Sequence, residues 1–263
     1  MPGLALLSTY PDYLLLLFIR VSGIMIGSPV FGRKQVPNLL KICFSVSLAL
    51  VFVAGSPAPA VHPAYANLPA YVLLCLRELL FGTAMGFVLT AMFNLVFIAG
   101  SLMDYQIGLS MSSIFDLQNN MQTPVSGALF NLALLLMFFA LDGHLKLIEV
   151  IFRSLEACPV GMAMAPPEIL WVAADVISSS FTLAVMLAMP VIAAGMMTEI
   201  ALGVIVKNVP QLNMFVVGIP LKMIVGLVML GVTLTLFGSF TKIIFNKAFD
   251  YIGLMFNYLQ GIG

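Results

Sequence analysis

The sequence predicts an all-α membrane protein of about six apolar helical segments, and three observations carry that expectation. Of 263 residues, 62% are hydrophobic and 8% charged, whereas a soluble domain runs at roughly 45–50% apolar and about 25% charged. Too little polar surface remains to cover a globule in water. The few charges are spaced so that long intervals contain none, and the stretches between those intervals are rich in Pro, Gly and amide residues.

An ionised side chain at the bilayer centre costs roughly 2.5–3.5 kcal/mol, so charge-free intervals mark the candidate spans. Six are long enough: Tyr13 to Gly32 (interrupted by Arg20), Ile42 to Val61, Leu79 to Met103, Leu117 to Leu141, Val176 to Thr198 and Met223 to Thr241. About 20 helical residues cross a core about 30 Å thick. The first connector holds Arg33, Lys34 and Lys41, and Ser56 to Pro69 reads as an extended turn. Within 145–156, Lys146, Glu149, Arg153 and Glu156 form one charged stripe on a helix whose other face is Leu145, Ile148, Phe152 and Leu155. That pattern suits an amphipathic helix at an interface. The loops on alternate sides carry five basic residues each, so the positive-inside rule ties. The charge of the first loop favours both termini outside.

Eleven basic residues balance eleven acidic ones, leaving no basic stripe for a phosphate backbone, so nucleic acid is not an expected partner. Cys43, Cys75 and Cys158 lie far apart, and with His62 and His144 they form neither a disulfide framework nor a metal motif. No Lys or Arg precedes Arg20, so the start lacks the basic region of a signal peptide and is expected to belong to the mature chain. The Asp142-Gly143-His144 triplet has no paired nucleophile, second base or metal ligand beside it, and reads as a turn. No catalytic, cofactor-binding or metal-binding residue is expected, and the chain has no GxxxxGK phosphate loop.

Several residues break the apolar pattern. Arg20 either snorkels to the interface or is a buried charge paired with Glu78, Asp104, Glu199 or an acid of another subunit. Gly23-Ile-Met-Ile-Gly27 and Gly82-Thr-Ala-Met-Gly86 are GxxxG patterns that let helix backbones approach closely, and are expected to lie against protein. Pro29, Pro190, Pro210 and Pro220 are expected to break or kink their helices. The 18 methionines read mainly as gap fillers, although Met162, Met164, Met196 and Met197 also suit a compliant seal. Two polar-flanked connectors remain. Gln106 to Thr123 mixes Gly and Ser with Ile114, Phe115 and Met121, and Lys207 to Lys222 is a tight turn dense in amides and proline.

Taken in order, Arg20-Val-Ser-Gly23, Pro29-Val-Phe-Gly32, Pro37, Gln106-Ile-Gly-Leu-Ser110, Leu141-Asp-Gly-His144, Pro190, Val209-Pro-Gln-Leu-Asn213, Phe215-Val-Val-Gly218 and Pro220-Leu-Lys222 resemble the flagellar type III export-gate FliR family and its injectisome counterparts. The match runs from the first span to the sixth. It departs at Leu117, where flagellar members often place proline.

The resemblance implies a subunit of the gate through which unfolded flagellar proteins cross the bacterial inner membrane, within the flagellar basal body or an injectisome base. It implies tilted, kinked hairpins, with residues 1–175 FliP-like and 176–263 a FliQ-like C-terminal hairpin. FliP-like and FliQ-like subunits, an FlhB-like partner, unfolded export substrates and membrane lipid are the implied partners, and no cofactor is implied. The loop near 108–123, with Gly108, Ile114, Phe115 and Met121, would be a pore plug. Pro210, Gln211, Asn213 and Lys222 would form a hairpin tip that meets a partner. A secondary transporter of a small solute is the alternative. It needs ionisable groups converging at mid-membrane, which the third to sixth spans almost wholly lack, and no inverted repeat is visible.

Overall fold

Backbone polar groups inside a bilayer must be paired within their own segment, so apolar runs of this length fold as helices. The computed structural model describes residues 11–55, 65–110, 123–162, 168–209, 211 and 213–259. Among these are seven helices: α1 (Pro11–Ile26), α2 (Asn38–Gly55), α3 (Leu68–Ile107), α4 (Val125–Ala140), α5 (Gly143–Ala157), α6 (Glu168–Asn208) and α7 (Met214–Leu259). No strand occurs among the described residues.

Three helices, α3, α6 and α7, are long and apolar enough to cross a membrane. The bent pair α4 and α5 makes a fourth if counted as one span, and α2 is a shorter apolar helix. The six charge-bounded spans therefore do not map one to one onto helices. The long helices have 40, 41 and 46 residues, which at ~1.5 Å per residue is about twice a core ~30 Å thick. They continue through Arg77, Glu78 and Asp104 in α3 and through Lys222, Lys242 and Lys247 in α7, because a charge leaves the i to i−4 hydrogen-bond ladder intact.

Proline acts differently by position. Pro190 and Pro220 lie inside uninterrupted helical runs of α6 and α7, so of the expected break or kink the break does not occur. By contrast, α1 stops at Ile26, short of the expected Gly32, since proline disfavours helical backbone at the residue before it, here Ser28. Between α4 and α5, Asp142 takes a left-handed backbone with φ of 55°.

The chain divides into two compact units. The first comprises Met1–Met92, Asp142–Val176 and Lys247–Gly263; the second comprises Phe93–Leu141 and Ile177–Asn246. In the first, α1 packs on α2, and α1 buries Leu16, Leu17, Val21, Ile24 and Met25. The buried face of α5 is Leu147, Val150, Ile151, Ser154 and Leu155, while Leu145, expected on the apolar face, is 54% exposed. The i, i+3, i+4, i+7 set that starts at Leu147 defines the stripe, and Leu145 falls off it. In the second unit an aromatic cluster forms the core. Phe93 lies 5.5 Å from Phe138 and 5.6 Å from Phe245, and Phe130 meets Phe237 edge-on at 4.9 Å. Edge-to-face pairs of this kind add about 0.5–1.5 kcal/mol beyond area burial.

Candidate functional site

In the first unit, α1 and α3 cross at their glycines. A Cβ added at Gly27 would stand 2.6 Å from the Gly86 Cα, and one at Gly23 would stand 3.0 Å from the Leu79 carbonyl oxygen and 3.2 Å from the Gly82 carbonyl carbon. The structure thus brings Gly23, Gly27, Gly82 and Gly86 together in one backbone-to-backbone seam. Thr90 Oγ1 donates to the Gly27 carbonyl, which extends the seam along α3.

Next to the seam sits Arg20, fully buried, opposite a fully buried Glu78. Its guanidinium grips the carboxylate as a fork, Nε to Oε2 at 2.5 Å and Nη2 to Oε1 at 3.1 Å. Nη1 donates to the Ser154 carbonyl at 3.0 Å and the Cys158 carbonyl at 2.6 Å, and Nη2 reaches Pro159 O at 3.5 Å. All five guanidinium N–H groups are therefore used. Two acceptors are carbonyls at the C-terminal end of α5, where a cation also meets the negative end of the helix dipole. The Phe81 ring lies 4.8 Å from the guanidinium carbon. Glu78 in turn accepts from the Gly161 N–H at 2.7 Å, and Gly161 has a φ of +86° that suits glycine. One ion pair thus ties α1, α3 and the end of α5. At the other end of α1, Tyr65 donates to the Asp12 carboxylate, and this hydrogen bond, ahead of desolvation, raises the phenol's pKa.

In the second unit, the C-terminal part of α3 and the start of α4 meet. Asp104, 4% exposed, accepts from the Ser126 hydroxyl and from the Ser126 N–H at 3.2 Å. Pro124, the N-cap of α4, makes no side-chain cap, so Asp104 supplies the missing acceptor from another helix. Gly100 lets the helices approach this closely, since a Cβ there would run into the backbone of Gly127. Gly108 follows α3 with φ of +94°, a backbone that suits glycine, and no described residue lies within 4 Å of an added Cβ. Ile114, Phe115 and Met121 lie outside the described residues.

At the connector between α6 and α7, Pro210 lies outside the described residues, while Gln211 and Asn213 are exposed. The Asn213 carbonyl accepts from Val216 N–H at 3.1 Å and Val217 N–H at 3.2 Å, opening α7. Lys222 pairs with Glu199 across the two helices.

Sequence reasoning placed Arg20 and the two glycine pairs but not Gly100, Gly127 or the Asp104–Ser126 contact. Asp104 stood out only as an acid near an apolar span, and single glycines in apolar helices carry no partner signal. Among the described residues, no group of three His, Cys, Asp or Glu side chains is placed to hold a metal ion.

Helices of this length, with a buried ion pair and glycine seams, define a multi-pass helical membrane protein. Comparison with known proteins gives its family: the family model described as "Bacterial export proteins, family 1" matches residues 12–248, and the chain belongs to that family. It is 30% identical over 249 residues to the flagellar biosynthetic protein FliR of Bacillus subtilis (strain 168), covering 94% of this chain and 95% of the relative. It is 26% identical to the flagellar biosynthetic protein FliR of Escherichia coli (strain K12), covering 89% and 88%. It is also 30% identical over 214 residues to the Yop proteins translocation protein T of Yersinia pestis, covering 79% and 80%. The chain is accordingly a membrane component of a type III protein-export apparatus, and not an enzyme.

Proposed function

We propose that this chain is a subunit of the type III export gate and forms part of the pore that passes unfolded flagellar proteins across the bacterial inner membrane, in the flagellar basal body or an injectisome base. Membership of the export family over nearly the whole chain carries the reading. The surface of α6 and α7 supports it. Ile200, Val204, Ile224, Val228 and Leu236 are each more than half exposed, and apolar surface on this scale calls for lipid or neighbouring subunits.

In this reading residues 1–175 form a FliP-like region and 176–263 a FliQ-like hairpin, packed with FliP-like and FliQ-like subunits. Six apolar segments, tilted and kinked, are shared between membrane and pore. Gln211, Asn213 and Lys222, with Pro210, form a tip that meets an FlhB-like partner. The segment at 108–123 is the plug. A pore wide enough for an unfolded chain leaks ions unless apolar groups exclude water, and Ile114, Phe115 and Met121 are the groups available.

The test is release of flagellar subunits into the medium by the source bacterium. Deleting this chain's gene abolishes release, and an intact copy restores it. Unchanged release after deletion contradicts the proposal.

A further inference from the structure

No Asp or Glu occurs between Asp12 and Glu78, and within that interval the connector from α1 to α2 gathers Arg33, Lys34 and Lys41. The connector is a built turn. Gly32 N–H donates to the Ser28 carbonyl at 2.8 Å, and a Cβ at Gly32 would stand 2.2 Å from the Ile26 carbonyl oxygen. Phe31 stacks on Phe44 of α2 at 5.1 Å. Arg33 Nε donates to the Pro29 carbonyl at 2.9 Å, and Lys41 Nζ donates to the Gly32 carbonyl at 3.3 Å, so cations eight positions apart reach the same turn. These two bonds end on neutral carbonyls. Lys34 is exposed, and neither Lys34 nor Lys41 forms an ion pair among the described residues. The two acids that bound the interval are engaged elsewhere, Asp12 by Tyr65 and Glu78 by Arg20. The turn also opens α2, whose N-terminal dipole end adds positive potential. Like charges gathered without a local acid repel, and an anion from outside relieves that repulsion.

The surface that continues from these cations is apolar. Leu39, Ile42, Val46 and Leu50 recur at the i, i+3, i+7, i+11 spacing of one helix face and are from 37% to 74% exposed. No charged residue follows Lys41 until Arg77. From Leu39 to Leu50 the helix rises ~17 Å, close to one leaflet of a core ~30 Å thick. A cationic end followed by one leaflet's length of apolar surface matches a molecule with an anionic head and long acyl chains. A soluble anion would leave the apolar face uncovered.

We propose that the connector and the outer face of α2 form a binding site for an anionic phospholipid, with Arg33, Lys34 and Lys41 on the headgroup phosphate and the acyl chains along Leu39, Ile42 and Val46. Guanidinium and ammonium groups both bind phosphate, the guanidinium as a planar fork and the ammonium as a point charge. The site selects a headgroup of net negative charge, because the choline of a zwitterionic lipid cancels the charge of its own phosphate. The proposal does not depend on the pore reading.

The test uses the full-length chain, purified with its companions in mild detergent and stripped of lipid, and follows binding of added dioleoyl-phosphatidylglycerol or dioleoyl-phosphatidylcholine by native mass spectrometry. Phosphatidylglycerol is expected to bind about tenfold tighter or more. Joint replacement Arg33→Gln, Lys34→Gln and Lys41→Gln removes most of that preference, while Arg77→Gln, which removes an exposed cation of α3, keeps it. Should the triple variant not fold, Lys34→Gln decides, with an expected loss of about fivefold. Leu39→Ser with Ile42→Ser weakens binding of both lipids, and millimolar inorganic phosphate does not displace phosphatidylglycerol. Equal affinity of the parent for the two lipids overturns the proposal, and so does a preference that survives the triple variant or, in its place, Lys34→Gln. Displacement by inorganic phosphate, or lipid binding indifferent to the two serines, reduces the site to one for soluble anions. Binding by the isolated chain but not by the complex means that a companion protein covers the site, which also overturns the lipid assignment.

Discussion

Gly27 of α1 and Gly86 of α3 meet backbone to backbone, so closely that a Cβ at Gly86 would stand 2.5 Å from the Gly27 Cα. With lipid on the outside there is no hydrophobic drive for helices to associate, and close van der Waals contact is what holds them.

Gly86→Ala is therefore expected to lower stability by about 1–3 kcal/mol, the usual cost of overpacking. Gly82→Leu with Gly86→Leu should abolish recovery of the intact complex. Gly231→Ala, at a position where no described residue lies within 4 Å of an added Cβ, serves as the neutral control. Size-exclusion chromatography of detergent extracts after graded heating measures all three, and normal assembly of the double leucine variant would mean that the seam carries no packing.

Glu78→Gln leaves the Arg20 guanidinium buried at 0% exposure without its counter-charge, a change expected to cost about 3–5 kcal/mol. Replacing both partners, Arg20→Met with Glu78→Leu, is expected to recover part of that loss. Recovery stays incomplete because the Cys158 carbonyl loses the Arg20 donor and the Gly161 N–H loses the Glu78 acceptor. Thermal unfolding in detergent ranks the parent first, the double variant second and Glu78→Gln last.

For Ser126→Ala the expected loss is smaller, about 1 kcal/mol as for a helix cap, because the Ser126 N–H still meets Asp104. Asp104→Ala removes both acceptors and should cost more than Ser126→Ala. Equal losses in the same unfolding assay would mean that Asp104 does not cap α4.

Gln211 and Asn213 are exposed at the turn between α6 and α7, and their amides can bond an approaching partner. Gln211→Ala with Asn213→Ala is expected to lower export while FliP-like and FliQ-like subunits still co-purify. Normal export would leave the segment a structural turn, and loss of assembly would point to packing instead of partner contact.

How much of this was legible in the sequence depends on range. Arg20 stood out because a lone cation in an apolar run needs a partner, but Glu78 lies 58 positions away, and no periodicity links the two. The paired glycines of α1 and α3 were visible through their four-residue spacing. Gly100 and Gly127 were not, because each is a lone notch whose meaning depends on what faces it. The three long helices, α3, α6 and α7, outrun their charge-free intervals because charges bound a membrane span without ending a helix, as the run of α3 through Arg77 and Glu78 shows. Pro190 and Pro220 sit within continuous helices, so neither proline breaks its helix.

The most direct test of the central claim is to purify the tagged full-length chain from its own bacterial membrane in mild detergent and identify its companions by mass spectrometry. A pore subunit brings FliP-like and FliQ-like proteins with it in a constant ratio across the eluted peak. If the chain elutes alone from membranes that export normally, it is not part of the gate.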